Sequence, residues 1–170
     1  MISKSKPKYG AVDCAIWRNA DFKPLDDAAK LLCMYLRTCK HNNMIGCYEL
    51  PIGYITADLK WTEEKVLASL TELLDKGFAS YDYDLEWILL PKHLIKHPMQ
   101  NINQAKGAAK IFNEIPSKFI YFNHLRDILC LDETLSEGLE KGSLTLSNTV
   151  TVTVTVPVTV TVPVPVTEDD

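Results

Sequence analysis

The sequence predicts a mainly α-helical fold with a small antiparallel β wing, on three observations. Apolar residues recur at helical spacing in several stretches between Leu25 and Leu131. Two short runs rich in aromatic and β-branched residues, 78–83 and 85–90, flank an acidic turn and read as a hairpin. The chain has 170 residues, of which 46% are hydrophobic and 24% charged, a balance that suits one globular domain with appendages.

Each element follows from local chemistry. Residues 1–24 read as an extended basic arm, broken by Pro7, Gly10 and Pro24, with Ile16 and Trp17 available to dock it. Leu25, Ala28, Ala29, Leu32, Tyr35, Leu36 and Cys39 mark an amphipathic first helix, and Asp26 and Asp27 suit its positive N-terminal end. Residues 40–43 end it, and 44–50 read as a short strand. Pro51 stands at a first helical position, followed by Ile52, Ile55 and Leu59 on one face. Thr62 is placed to cap a third helix bearing Val66, Leu67, Leu70, Leu73 and Leu74, with Gly77 at its stop. After the hairpin come two further helical stretches, 103–115 and 117–131, expected to pack on the same core. Helix, strand, helix, turn, helix, hairpin is the order of a winged helix-turn-helix domain, assigned to residues 25–131.

Beyond Leu131 the character changes. Residues 132–148 are acidic and read as a linker. Residues 149–167 hold only Thr, Val and Pro, with no large side chain to anchor a core, and read as a low-complexity extended tail. Charge divides in the same place. Residues 1–131 carry 17 Lys or Arg against 15 Asp or Glu, and residues 132–170 carry one against seven. The net charge of −4 therefore hides a mildly basic globular part. No apolar run approaches the ~20 residues of a membrane span, so no membrane partner is expected. The polar N-terminus shows no leader pattern. Five scattered cysteines suit reduced thiols, and a cytoplasmic location is expected.

The residues also carry a family likeness. Residues 29–39 form one stretch of it. Gly46 to Pro51, with Trp61, Val66, residues 73–78, Tyr81 and Asp82, forms a second. Residues 88–98, with Asn101, Asn103, Ile115 and Pro116, form the third. In order and spacing these resemble phage-encoded replication proteins whose N-terminal part is a winged helix of the replisome-organiser, DnaD-like type. The resemblance covers about residues 16–120. It implies DNA binding, to origin or single-stranded DNA, within a bacterial host cell, and recruitment of a helicase or helicase loader. A homo-oligomer is compatible with it. No second globular domain like that of the longer members is read in these residues, so autonomous helicase loading is not expected.

Candidate residues follow from charge. Between Glu86 and Glu114 there is no acid, and the interval holds Lys92, His93, Lys96, His97, Asn101, Asn103, Gln104, Lys106 and Lys110. Lysines attract the phosphate backbone, and amides bond phosphate, sugar or base edges. The arm adds Lys4, Lys6, Lys8 and Arg18. The third helix is a poor base reader, because Glu63, Glu64, Glu72 and Asp75 outnumber Lys65 and Lys76. Glu64, Lys65, Glu72 and Asp75 are instead expected on an outward face that meets solvent or a protein partner. Asp82, Asp84 and Glu86 are expected to make the wing tip repel phosphate. No phosphate-cradling glycine loop, HExxH or CxxC element is present, so no cofactor, metal site or enzymatic activity is expected. Trp61 and Trp87 suit base stacking or, more commonly, a core.

Overall fold

The computed structural model describes residue 10, residues 12–142 and residues 144–146. It is mainly helical around a three-stranded antiparallel sheet. A 3-10 helix, Cys14–Arg18, precedes α1 (Asp27–Thr38), β1 (Cys47–Glu49), α2 (Ile52–Leu59) and α3 (Glu63–Asp75). Then follow β2 (Ser80–Asp82), β3 (Trp87–Leu89), α4 (His93–Lys96), α5 (Ile102–Glu114), α6 (Phe122–Cys130) and α7 (Glu133–Glu140). No helix among the described residues is long and apolar enough to cross a membrane. Lys4, Lys6, Lys8 and the Thr/Val/Pro stretch lie outside the described residues.

The expected element boundaries hold to within a few residues through α3, because local signals set them. Thr62 Oγ1 accepts from the Lys65 N–H at 3.4 Å and starts α3. Gly77 ends it at φ +66°, where a side chain would be strained. Residues 117–121, predicted as helix, are turn instead, and α6 starts at Phe122.

In the sheet the strand order is β1-β3-β2, and Tyr48, Ile88 and Tyr81 lie in register across it. One face packs on α1, α2 and α3, with Leu32, Leu36, Tyr48, Ile55, Leu70, Leu73 and Ile88 closing a core. Two tyrosine hydroxyls are anchored there, Tyr48 donating to the Leu36 carbonyl and Tyr81 to that of Leu50. The other face carries Cys47 and Leu89 into a second core built by Ala105, Phe112, Phe122, Leu125, Leu129 and Leu135. The later helices thus build a core of their own, where the sequence suggested that they join the first. Ile88 and Leu89 are both buried and point to opposite faces, so the sheet needs cover on each side.

Two further expectations are corrected by packing. Residues 132–148 are not simply a linker, since Asp132 caps α7 through the Leu135 N–H at 3.1 Å, and Leu135 and Leu144 are buried. Residues 12–24 are not an extended arm either. They form the short 3-10 helix and insert Phe22, fully buried, against Phe78 of the first core. Ile16 packs on that core as well, whereas Trp17 stays exposed, its ring nearly perpendicular to that of Phe22.

Candidate functional site

The backbone of α4 follows directly from β3 and lies beside the segment that leaves α1. Gly46 makes that approach feasible. Its φ is +67°, and a Cβ there would stand 2.6 Å from the Cβ of His93. His93 and His97 occupy neighbouring turns, with ring centroids 5.1 Å apart. Arg37, Thr38, Cys39 and Lys40 from the end of α1 face them, together with Asn42, Asn43 and Met44. These residues and Gly10 line a half-open cavity of about 430 Å³, and no carboxylate is among its described lining residues. Gly10 sits tightly on the end of α1, where a Cβ would meet the Arg37 carbonyl oxygen at 2.7 Å. A second hollow adjoins it, lined by Met44, His93, Lys96, His97, Gln100 and Gln104.

Electrostatics at this face are lopsided. Burial, then the charges of His97 and Arg37, push His93 down to about 4, so its imidazole is neutral at pH 7. Arg37 donates from one guanidinium nitrogen to the Cys33 carbonyl at 3.2 Å and meets the Cys33 sulfur at 3.1 Å. Among the described residues, Arg37, His93 and His97 take part in no ion pair. Lys96 and Lys92 do, with Asp13 at 3.0 Å and Asp21 at 3.9 Å. The Asp13 carboxyl is held below its ordinary range by the Ala15 N–H and by Lys96. Thus the N-terminal segment, expected to add positive charge, also supplies two acids that partly neutralise α4.

The nine residues predicted between Lys92 and Lys110 do not form one surface. Lys92, His93, Lys96 and His97 gather beside Arg37, with Gln104 at the margin. Lys106 and Lys110 line a separate hollow with Ala109, Asn113, Glu114, Leu144 and Thr145. Asn101 is committed to structure, its Oδ1 accepting from the N–H groups of Asn103 and Gln104 at 3.1 and 3.0 Å as the cap of α5. Asn103 is exposed, and Arg18 is exposed on the 3-10 helix. Arg37, Lys40, Asn42 and Asn43 were missed. The cluster Arg37-Thr38-Cys39-Lys40-His41 was the available signal, but only α4 packing beside it some fifty residues later makes it a site.

On α3, Glu64, Lys65 and Asp75 are exposed as expected, and the Lys65 ammonium lies 4.4 Å from the Trp61 ring centroid. Glu72 is different. It is half-buried, and its carboxylate accepts from the Asp26 N–H at 3.0 Å, holding the entry to α1. At the hairpin, Asp82 is 2% exposed and accepts from the N–H groups of Asp84, Leu85 and Ile120. It therefore staples the turn to the second core, and only Asp84 and Glu86 remain as surface acids there. Trp61 and Trp87 are half-buried, one against each core. Among the described residues no group of three or more His, Cys, Asp or Glu is arranged to hold a metal ion. No family model matches the chain, and no curated protein or solved structure matches it.

Proposed function

We propose that the chain is a DNA-binding accessory or initiator protein of phage DNA replication, of the winged-helix, replisome-organiser type. It grips the phosphate backbone and recruits replication machinery. The observation that carries this reading is the cationic face where α4 meets the end of α1, which presents Arg37, Lys40, Lys96 and His97 beside Lys92, with Asp13 and Asp21 as the acids that border it. Cations concentrated on one face attract a polyanion and release its condensed counterions. Support for the winged-helix reading comes from the element order through β3 and the β1-β3-β2 strand order. The usual docking through α3 is disfavoured, since its exposed residues include Glu63, Glu64 and Asp75, which repel phosphate.

The test is binding of single- and double-stranded DNA by the full chain at several salt concentrations. Replacing Arg37, Lys92 and Lys96 by Gln is expected to weaken binding to all sequences alike. The slope of log K against log salt should flatten by roughly one for each phosphate that the variant no longer neutralises. Unchanged affinity in that variant would remove this face as the DNA surface.

One observation favours a second reading, a winged-helix protein-interaction module without direct DNA readout. The exposed side of α3 and the hairpin turn present Glu63, Glu64, Asp75, Asp84 and Glu86 together with exposed Tyr83. Under that reading Glu64→Lys with Asp75→Lys abolishes capture of a basic protein partner, such as a helicase or its loader. Under the DNA reading alone the same pair of changes leaves DNA binding intact or tightens it.

A further inference from the structure

The cavity between α1 and α4 is cationic, and its volume of about 430 Å³ decides what it could hold. That volume lies within the roughly 300–1,000 Å³ typical of small-ligand pockets. Its polar lining consists of Arg37, Thr38, Lys40, Asn42, Asn43, His93 and His97; Thr38, Asn42 and Asn43 already donate to the carbonyls of Met34, Arg37 and Cys47, so the guanidinium and imidazole groups are the donors that matter for a ligand. Arg37 keeps guanidinium nitrogens beyond the one turned to Cys33, and a planar fork of donors suits tetrahedral oxyanions. We propose that this cavity is a binding site for a single phosphate group, held by Arg37, His93 and His97.

Charge balance explains why the ligand should be an anion with two negative charges. Around His93, α1 and the segment after it contribute Arg37, Cys39 and Lys40, and α4 contributes Lys92, Lys96 and His97. The N-terminal segment contributes Asp13 and Asp21, whose carboxylates lie with Lys96 and Lys92. From α5 the adjoining hollow receives only the neutral Gln104. Among its described lining residues the cavity thus gathers positive charge with no carboxylate, and His93 gives up its proton first because it is buried and then because of His97 and Arg37. A dianion among these groups reverses the balance. It attracts the charged imidazole, so His93 holds its proton to a higher pH and takes one up from solvent as the ligand enters in the acid window just above pH 4. Binding and proton uptake are then linked, each strengthening the other. The phosphate could be inorganic, or it could be the terminal phosphate of a nucleic-acid strand. The second source rests on the DNA-binding reading of this face.

Both sources are tested on the full chain. The chain has four histidines, His41, His93, His97 and His124. Their imidazole Cε1–H signals, assigned with His93→Asn and His97→Asn, would be followed by NMR from pH 4 to 8 with inorganic phosphate added at constant ionic strength. Phosphate is expected to raise the titration midpoint of His93 by roughly one unit or more, saturably, while His124 stays in place. Arg37→Gln should abolish that shift, and Arg37→Lys should retain part of it. A thermal melt confirms that each variant is folded. No shift, or an equal shift at His93 and His124, would overturn the site.

The second arm compares one single-stranded oligonucleotide carrying a 5′-phosphate with the same strand carrying a 5′-hydroxyl. About tenfold tighter binding of the phosphorylated strand, abolished in Arg37→Gln, assigns the site to strand ends. If phosphate shifts His93 but neither strand binds, the cavity site stands and the DNA reading falls. If both strands bind equally and phosphate leaves His93 untouched, the DNA reading stands and the cavity site is overturned.

Discussion

His93 shows how a single position couples packing to pH. Its ordinary value is 6.5, and burial beside His97 and Arg37 pushes it down to about 4. Below pH 6.5 the unfolded chain takes up a proton that the folded chain refuses until about pH 4, so stability is full above pH 6.5 and falls as pH drops through that window. The loss amounts to about 2 kcal/mol once partial solvent exposure is allowed for. His93→Gln should flatten the fall, read by urea unfolding between pH 6.5 and pH 5, above the range where most carboxylates titrate. An unflattened profile would assign the pH response elsewhere. Asp82 makes the opposite case, a carboxyl group kept buried by its partners. Three N–H groups, from Asp84, Leu85 and Ile120, each bond it at 3.1 Å. Asp82→Ala leaves these donors without their acceptor and should cost about 2–4 kcal/mol in denaturant unfolding, with Asp82→Asn costing less. A surface acid at a hairpin tip would cost under about 0.5 kcal/mol, so the measurement separates the two roles. From sequence alone Asp82 was indistinguishable from Asp84, because one of the donors that hold it is the backbone N–H of Ile120, 38 residues away.

At the scale of elements, the N-terminal segment and α4 form an opposed pair. Asp13 and Asp21 occupy Lys96 and Lys92, the lysines that the DNA reading assigns to phosphate. Both pairs are largely exposed, so they contribute little to folding. They do compete with any incoming phosphate for the same ammonium groups. Asp13→Asn with Asp21→Asn is therefore expected to tighten DNA binding several-fold at low salt, with the difference shrinking as salt rises, and to move stability by less than about 0.5 kcal/mol. Equal affinities for the double variant and the parent at low salt would show that the segment does not mask α4. On α3 the element and its tertiary use part company. Its amphipathic spacing and its cap were legible in the sequence, and so was the outward placement of Glu64, Lys65 and Asp75. Glu72 lay on the same expected face, yet the start of α1 reaches it and turns it into a structural acceptor. Helical periodicity fixes the angle at which a residue leaves its own helix but says nothing about which neighbour arrives there.

For the whole molecule, the two cores on opposite faces of one sheet decide where the folded unit ends. Asp132 accepts from the Met99 N–H at 2.8 Å, Thr134 donates to the Met99 carbonyl at 3.0 Å, and Leu135 and Leu144 are buried in the second core. Truncation after Leu131 should therefore destabilise the chain relative to truncation after Leu146. Removing two buried leucines costs about 3–6 kcal/mol by burial alone, read as a clear drop in melting temperature. Equal melting of the two truncations would show that α7 adds nothing to the core. The sequence by itself determined the helical class, the strand and hairpin positions, the caps at Thr62 and Gly77, and the acid-free interval that pointed to α4. These signals are local, written in the spacing and backbone preferences of neighbouring residues. Only the tertiary structure decided that α5, α6 and α7 build a second core. It also decided that Asp82 and Glu72 are internal acceptors, and that Lys106 and Lys110 stand apart from Lys92 and Lys96. Arg37 and Lys40 face His93 and His97 for the same reason. Each of these depends on residues dozens of positions apart arriving side by side, which follows from how both faces of the sheet are covered and from no local pattern.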